Sequence, residues 1–317
     1  MERGVVVVGA GVMGHGIAQL FAQAGARVRL HDLDEAGLAR GLAAMEASLA
    51  LLVEEEVLSP AEAAAARSRV RPVTRLEPAL AGAGLVLEAI PELLEAKLEL
   101  FARIERVAGG EVVVASTTST MPISLLAQRA LRPERMVIAH FFNPAQLVPL
   151  VEVQPHPAMP AAGVERFMET MRRIGKRPVL LRREVPGFVA NRLQAAVLRE
   201  ALHLVELGVV GLQEIDAVMT EGPGFRWPFI GPVETADLGG LDTWQRVLDA
   251  LAPGLCRAER APSVLRDCVA RGELGAKTGR GLVVQAGPPL AERMAARDRF
   301  LVRLARLKAR RGAQRRD

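Results

Sequence analysis

The sequence predicts an α/β chain in two parts: a doubly wound, mainly parallel sheet, followed by an all-α domain. Three observations carry this prediction. In the first half, short and fully apolar runs alternate with segments of helical periodicity, the pattern of a parallel sheet covered on both faces. The first apolar run leads directly into Gly9-Ala10-Gly11-Val12-Met13-Gly14. Beyond Val185-Pro186-Gly187 the strand signal all but disappears and helical patterns succeed one another. The predicted domains are therefore 1–184 and 185–317, divided near Glu184.

The valine run at residues 5–8 is the first predicted strand, followed by a helix over 11–24. A strand at 26–31 and a long helix at 34–57 come next. Strands at 85–90, 112–115 and 136–139 are separated by helices at 92–107 and 123–130. Strands at 147–153 and 177–181, with a helix at 163–174 between them, extend the sheet. The second part then offers helices at 188–207, 212–220, 233–251 and 263–271. A last helix carries Phe300, Leu304 and Leu307 at helical spacing, the stripe expected to pack.

With 317 residues, half of them apolar and 24% charged, the chain has the profile of a soluble globular protein with ample core. No uncharged, purely apolar run reaches the length of a membrane span, so no membrane partner is expected. The valine strand starts at residue 5, which leaves no room for a targeting segment, and a cytoplasmic location is expected. Cys256 and Cys268 have neither metal nor redox spacing and read as free thiols; no metal site is expected. The net charge is +5, but residues 290–317 alone carry ten basic and three acidic residues, so the remaining body is −2. A nucleic-acid protein spreads its basic footprint over a folded face, and no nucleic-acid partner is expected. The basic stretch reads as the solvated side of the last helix, with a phosphate-contacting role as the alternative.

Gly9, Gly11 and Gly14 form a G-x-G-x-x-G between a strand and a helix, the context that gives this motif its meaning. Gly9 permits the tight turn, Gly11 lets a pyrophosphate approach the backbone, and Gly14 lets helix and strand pack closely. Val12 and Met13 lie inside the same turn, and the helix N-terminus offers unpaired N–H groups to the phosphates. Asp32 ends the second strand, where a carboxylate accepts from the adenosine ribose and repels a 2′-phosphate. The expected fold is thus Rossmann-type and the expected cofactor NAD. The alternative, a glycine turn that binds nothing, has to ignore strand, helix and acidic residue together.

Oxidising an alcohol with NAD requires a base, and histidine suits neutral pH. His15, His31, His156 and His203 are readily explained by the cofactor turn, packing or surface. His140 ends an apolar strand in Ala139-His140-Phe141-Phe142-Asn143-Pro144, on the side of such sheets where ligands bind. Glu152 follows twelve residues on, and a chain reversal between them would set its carboxylate beside the imidazole. Spacing alone leaves open a core histidine with a solvated glutamate.

Over nearly its full length the chain resembles the 3-hydroxyacyl-CoA dehydrogenase family. The resemblance rests on His140-Phe141-Phe142-Asn143-Pro144 followed by Leu150-Val151-Glu152-Val153, and on Ala115-Ser116-Thr117-Thr118-Ser119-Thr120. It rests also on Pro186-Gly187-Phe188-Val189-Ala190-Asn191-Arg192, Ile90-Pro91-Glu92 and Lys277-Thr278-Gly279-Arg280-Gly281. It implies His140 as base, Glu152 as its partner, and Ser119 and Asn191 on the reacting oxygen. It places Glu92, Lys97, Ser119 and Asn143 near the cofactor. It implies a homodimer through the helical domain, a small 3-hydroxy substrate, and a place in fatty acid metabolism.

Other segments are similar to the lambda-crystallin and L-gulonate 3-dehydrogenase branch. These are Val153-Gln154-Pro155-His156-Pro157, the stretch from Glu221 to Pro232, and the tail from Arg297 to Leu307. In that stretch Arg226 either grips a free carboxylate bidentately or is an exposed charge in a Gly/Pro loop. The acyl-CoA enzymes carry basic residues in the long helix after the second strand, where CoA phosphates approach. Here that region reads Leu51-Leu52-Val53-Glu54-Glu55-Glu56. The motifs nearest the chemistry favour a 3-hydroxyacyl-CoA substrate such as 3-hydroxybutyryl-CoA. A free 3-hydroxy acid such as L-gulonate is the alternative. A non-catalytic NAD-binding protein of crystallin type is the alternative from another class.

Overall fold

The computed structural model describes residues 4–283 and 287–314. The chain divides into two compact units, Met1–Val189 with Arg297–Asp317, and Ala190–Ala296.

The first unit is built on eight strands: β1 (Gly4–Val8), β2 (Val28–His31), β3 (Val70–Val73), β4 (Ala83–Glu88), β5 (Val113–Ser116), β6 (Met136–Phe141), β7 (Leu150–Pro155) and β8 (Arg177–Leu180). Their order in the sheet is β3-β2-β1-β4-β5-β6-β7-β8, and every neighbouring pair is parallel except β6 with β7. The helices of this unit are α1 (Gly14–Gln23), α2 (Glu35–Glu54), α3 (Pro60–Ser68), α4 (Leu76–Leu80), α5 (Leu94–Ala108), α6 (Ile123–Leu126) and α7 (Ala161–Arg173). The second unit holds α8 (Ala190–Glu206), α9 (Leu212–Glu221), α10 (Pro223–Arg226), α11 (Pro232–Gly239), α12 (Leu241–Leu251) and α13 (Ser263–Ala270). The chain returns to the first unit in α14 (Leu290–Gln314).

The valine run shows why the sheet forms. Successive strand residues face opposite sides, and Val5 and Val7 join one apolar core while Val6 and Val8 join the other. The first core packs Ile17 and Phe21 of α1 and Met45 of α2; the second packs Phe101 and Ile104 of α5. Burying each such side chain is worth about 1.5–3 kcal/mol, so a strand apolar on both faces belongs inside a covered sheet. By length and a mean hydropathy of 1.5, α2 matches a membrane span. Its Leu38, Met45, Leu49 and Leu52 are instead buried in this unit.

Several elements depart from expectation. β3 was not anticipated, because Arg71 and Pro72 interrupt its apolar pattern; as an edge strand it tolerates a residue without an N–H. Nor was α3, although Ser59 and Glu62 form a reciprocal capping box around Pro60. The helix expected over 233–251 is two helices, broken where Gly240 adopts φ +87°. A side chain at Gly239 would stand 2.8 Å from Trp244 Nε1, which keeps that corner open only to glycine. The Gly/Pro stretch around Arg226 contains the short helix α10.

The domain boundary needs the largest correction, because the described residues from Arg297 onward belong with the sheet and not with the helical unit. The acidic run and the basic tail, each unexplained alone, meet there. Arg299 Nη2 lies 2.7 Å from Glu54 Oε2, and Arg303 grips Glu55 bidentately at 2.8 and 2.9 Å. Arg306 donates to the Glu55 carbonyl, and Val302 between them is buried. The hydrogen bond from Arg303 holds the Glu55 carboxyl below its usual range. Residues 299, 302, 303 and 306 share one helical face, so the predicted stripe turns outward: Phe300 and Leu307 are exposed. Arg315 and Arg316 lie outside the described residues.

Candidate active site

The carboxyl edge of the sheet collects the candidate residues. β1 ends at Val8, which pairs with Glu88; Glu88 pairs with Ser116, and His140 pairs with Glu152 across the antiparallel β6–β7 ladder. A chain reversal therefore does bring Glu152 beside His140.

The glycine turn fits a dinucleotide. Gly9 has φ +101°, and a Cβ there would lie 2.5 Å from the Ala89 carbonyl. A Cβ on Gly14 would lie 1.7 Å from the Gly9 carbonyl, so β1 and α1 meet closely only because both are glycine. A Cβ on Gly11 meets nothing within 4 Å, which leaves its backbone open for a ligand. No side chain caps the N-terminus of α1, so its amides are not taken by an Asp, Ser or Thr. A cleft of about 720 Å³, within the range of cofactor sites, is lined by Gly9, Gly11, Val12, Met13 and Asp32 together with Ile90 and Pro91.

Asp32 Oδ2 accepts from Ala10 N at 2.7 Å, fixing the carboxylate against the turn. Arg29, the arginine of β2, is turned away to the carbonyls of Pro78 and Ala81. NADH is therefore expected to bind more tightly than NADPH. Asp32→Ser should narrow the preference by about tenfold to a hundredfold, the worth of a charged hydrogen bond. Equal dissociation constants for the two cofactors in the unmodified protein would remove Asp32 from this role.

His140 and Glu152 are both buried, and His140 Nδ1 lies 2.9 Å from Glu152 Oε2. A carboxylate only accepts, so Nδ1 carries the hydrogen and Nε2 presents its lone pair. The other carboxylate oxygen accepts from Val189 N at 3.0 Å. That amide is aimed by Gly187 and Phe188, which have φ of +74° and +52°. The same turn buries the Phe188 ring 5.2 Å from the imidazole, and Phe142 packs at 4.5 Å. Two aromatic rings and a two-point carboxylate thus hold the imidazole in one orientation. Phe142, Phe188 and the Val189 amide were not anticipated as site groups, although all three residues stand in the motifs that carried the resemblance.

The loop after β5 is organised by a second carboxylate. Glu92 Oε1 accepts from the Thr118 hydroxyl, from Ser119 N at 3.1 Å, and from Thr120 N and Oγ1 at 3.2 and 2.9 Å. Burial pushes the Glu92 carboxyl up, but the Thr118 hydroxyl and the Lys97 charge outweigh it and hold the group below its usual range. Lys97 is placed differently from expectation. It is 1% exposed, with Nζ 2.6 Å from Glu88 Oε1 and 3.2 Å from Glu92 Oε2. An amine so enclosed supports the loop from beneath instead of lining the cleft. Glu88 also accepts from Ser116 Oγ at 2.6 Å and from Ile90 N at 2.9 Å. Burial pushes its carboxyl up, against Lys97 and these hydrogen bonds. Glu88 was missed because it closes an apolar strand with no motif of its own, and Ser116 because its motif directed attention to Ser119.

Asn143 is exposed two residues beyond β6, before a cis peptide bond to Pro144. Asn191 and Arg226 belong to the second unit, in the first turn of α8 and at the end of α10. Among the described residues no cluster of His, Cys, Asp and Glu could hold a metal ion.

A dinucleotide-binding sheet with a carboxylate-held histidine at its carboxyl edge is the framework of an NAD-dependent dehydrogenase. When bound, NAD supplies the hydride acceptor; the chain's own histidine is placed to take a hydroxyl proton at Nε2. Comparison with known proteins narrows the class. The model of the 3-hydroxyacyl-CoA dehydrogenase NAD-binding domain matches residues 4–185, and that of its C-terminal domain matches 187–285. The chain belongs to the 3-hydroxyacyl-CoA dehydrogenase family. It is 37% identical to a lambda-crystallin homolog of Bos taurus, over 96% of this chain and 95% of that one. It is 39% identical to an L-carnitine dehydrogenase of Nocardiopsis dassonvillei, over 96% and 91%.

Among solved structures, a 5-formyl-3-hydroxy-2-methylpyridine 4-carboxylic acid 5-dehydrogenase superposes with a TM-score of 0.90 at 31% identity, covering 97% of this chain and 98% of that one. The (S)-3-hydroxybutyryl-CoA dehydrogenase of Ralstonia eutropha superposes at 0.73 and 33%, covering 88% and 98%. The likeness to the lambda-crystallin branch read from the sequence is thus shown, as are the family, the fold and the cofactor.

Proposed function

We propose that the protein oxidises the 3-hydroxyl of a free hydroxy acid with NAD, with His140 as the base and Glu152 holding it. Ser119 and Asn191 contact the reacting oxygen, and Arg226 receives the carboxylate. One observation carries the choice of free acid over thioester. The end of α2, where the resemblance to acyl-CoA enzymes implies basic residues for the CoA phosphates, presents Glu54 and Glu55 locked to Arg299 and Arg303 of α14. The only basic residue in α2 is Arg40, near its start. Coenzyme A would meet carboxylates there, and the nearby guanidinium groups are already engaged.

The relatives lend support. L-Carnitine is itself a free 3-hydroxy acid, and the pyridine carboxylate enzyme superposes more closely than the butyryl-CoA enzyme. The acyl-CoA reading keeps the support of His140–Pro144 and of Lys277-Thr278-Gly279, and of the family's own activity.

The measurement is kcat/KM for L-gulonate and L-carnitine against L-3-hydroxybutyryl-CoA, in the unmodified enzyme and in Arg226→Met. A free acid should win, and the variant should lose about tenfold to a hundredfold or more on it, as a severed charge pair costs. A thioester preferred by a wide margin and indifferent to Arg226→Met restores the acyl-CoA assignment.

A further inference from the structure

The connection between the strands of His140 and Glu152 is held by a group that stands outside the sequence motifs. It runs from Phe142 to Pro149, and its first residues are the ring packed on the imidazole and the exposed Asn143. Lys176, just before β8, is 5% exposed. Its Nζ donates to the carbonyls of Ala145 at 2.5 Å and Val148 at 2.7 Å, two points within that connection. Beside it, Arg177 N donates to the Pro149 carbonyl at 2.8 Å. The connection is otherwise tied by Gln146 Nε2 to Ser48 Oγ of α2 at 3.2 Å, a weaker neutral bond.

We propose that Lys176 is a positioning residue for the dehydrogenase reaction, its ammonium holding the 142–149 connection so that Phe142 and Asn143 present one geometry to the imidazole and the cofactor. The proposal rests on the reading of His140 as the base. Two carbonyls accepting from one ammonium form charge-assisted bonds, roughly twice as strong as neutral ones. The hold therefore depends on the charge of the amine.

The surroundings make that charge sensitive to pH. Lys176 lines a cavity of about 480 Å³. The charged side chains lining it besides Lys176 are Arg173 of α7 and Arg306 of α14, both cationic, while α1 and α2 contribute neutral Leu20, Gln23 and Leu52. No carboxylate among the lining residues compensates the ammonium. Burial pushes the Lys176 amine down to about 7. The hold is charged below that value and neutral above it, whereas a histidine base acts only once it has lost its proton. Loss of that charge therefore gives the activity profile an alkaline limb, opposite in sense to the requirement for a deprotonated base.

The experiment is the pH profile of kcat/KM for alcohol oxidation in the unmodified enzyme, Lys176→Arg, Lys176→Gln and Lys176→Met. The unmodified enzyme should show an acid limb and an alkaline limb. Lys176→Arg, charged throughout, should keep the acid limb and lose the alkaline one. Lys176→Gln should also lose the alkaline limb, with a plateau lower by about tenfold, the worth of a charged over a neutral hydrogen bond. Lys176→Met should lose more, and millimolar methylammonium, which the cavity can admit, should restore part of the rate. An alkaline limb unchanged in both Lys176→Arg and Lys176→Gln overturns the proposal, and these two variants decide it even where Lys176→Met fails to fold. Failure of the underlying reading shows elsewhere, as an acid limb and near-normal rate persisting in His140→Gln.

Discussion

Replacing His140 by glutamine should lower kcat by about 10²–10⁴, the usual worth of a general base, while NADH binding survives. The cofactor turn lies between β1 and α1 and Asp32 directly follows β2, so the substitution leaves them untouched. Glu152→Gln should also lose rate. Its amide can still accept from Nδ1–H, but it no longer stabilises the imidazolium that forms when the proton arrives. Its amide nitrogen also offers a hydrogen toward Val189 N or His140 Nδ1, groups that are already donors. Because both residues serve one proton transfer, the double variant should be little slower than His140→Gln alone. Losses that multiply in full would detach Glu152 from the proton transfer and leave it a structural part of the β6–β7 ladder.

Lys97→Met should lower the stability of the first unit by about 3–5 kcal/mol, the cost of leaving one partner of a buried ion pair uncompensated. Lys97 and Glu88 are 1% and 0% exposed, so little solvent screens the charge left behind. Denaturant unfolding with Glu88→Gln and the Glu88→Gln, Lys97→Met pair completes the cycle, and the double variant should recover much of the loss. The pH dependence has a definite sign. Burial already pushes the Glu88 carboxyl up, and removing Lys97 removes the charge that opposes it. In the variant the folded state then holds a proton that the unfolded chain has released, so stability falls as pH rises through that window. The deficit should therefore shrink in acid. A deficit that stays constant with pH, or a double variant no better than Lys97→Met, would mean that the lost stability comes from packing of the lysine stem. Since Glu92 also touches Lys97 and holds Ser119 N, KM should rise in the same variant.

Much of the first unit was legible because its signals are local. Val5–Val8 reports on two covered faces through alternation alone, and Gly9, Gly11 and Gly14 report on the turn through a spacing complete within six residues, although the Cβ clash that demands Gly9 is with the distant Ala89 carbonyl. His140 and Glu152 were legible through a motif, and their pairing needed only a short reversal between adjacent strands. The capping box of Ser59 and Glu62 was equally legible, since it is complete within four residues; it went unread because α3 has only one buried residue, Ala66, and so little apolar periodicity.

What the sequence by itself determined is the doubly wound sheet, the dinucleotide turn and the histidine–carboxylate pair, all products of interactions between chain neighbours or adjacent strands. The tertiary structure alone decided which distant charges meet. Glu54 and Arg299 stand 245 positions apart, and no pattern within either segment shows that the acidic run and the basic tail neutralise each other. It also decided that Lys97 lies beneath the cleft and that the amine of Lys176 holds the loop beside the imidazole. A charged side chain reads the same in sequence whether solvated or enclosed. Its energy is set by the dielectric around it and by the partner within a few ångströms, and both arise only when the chain has packed.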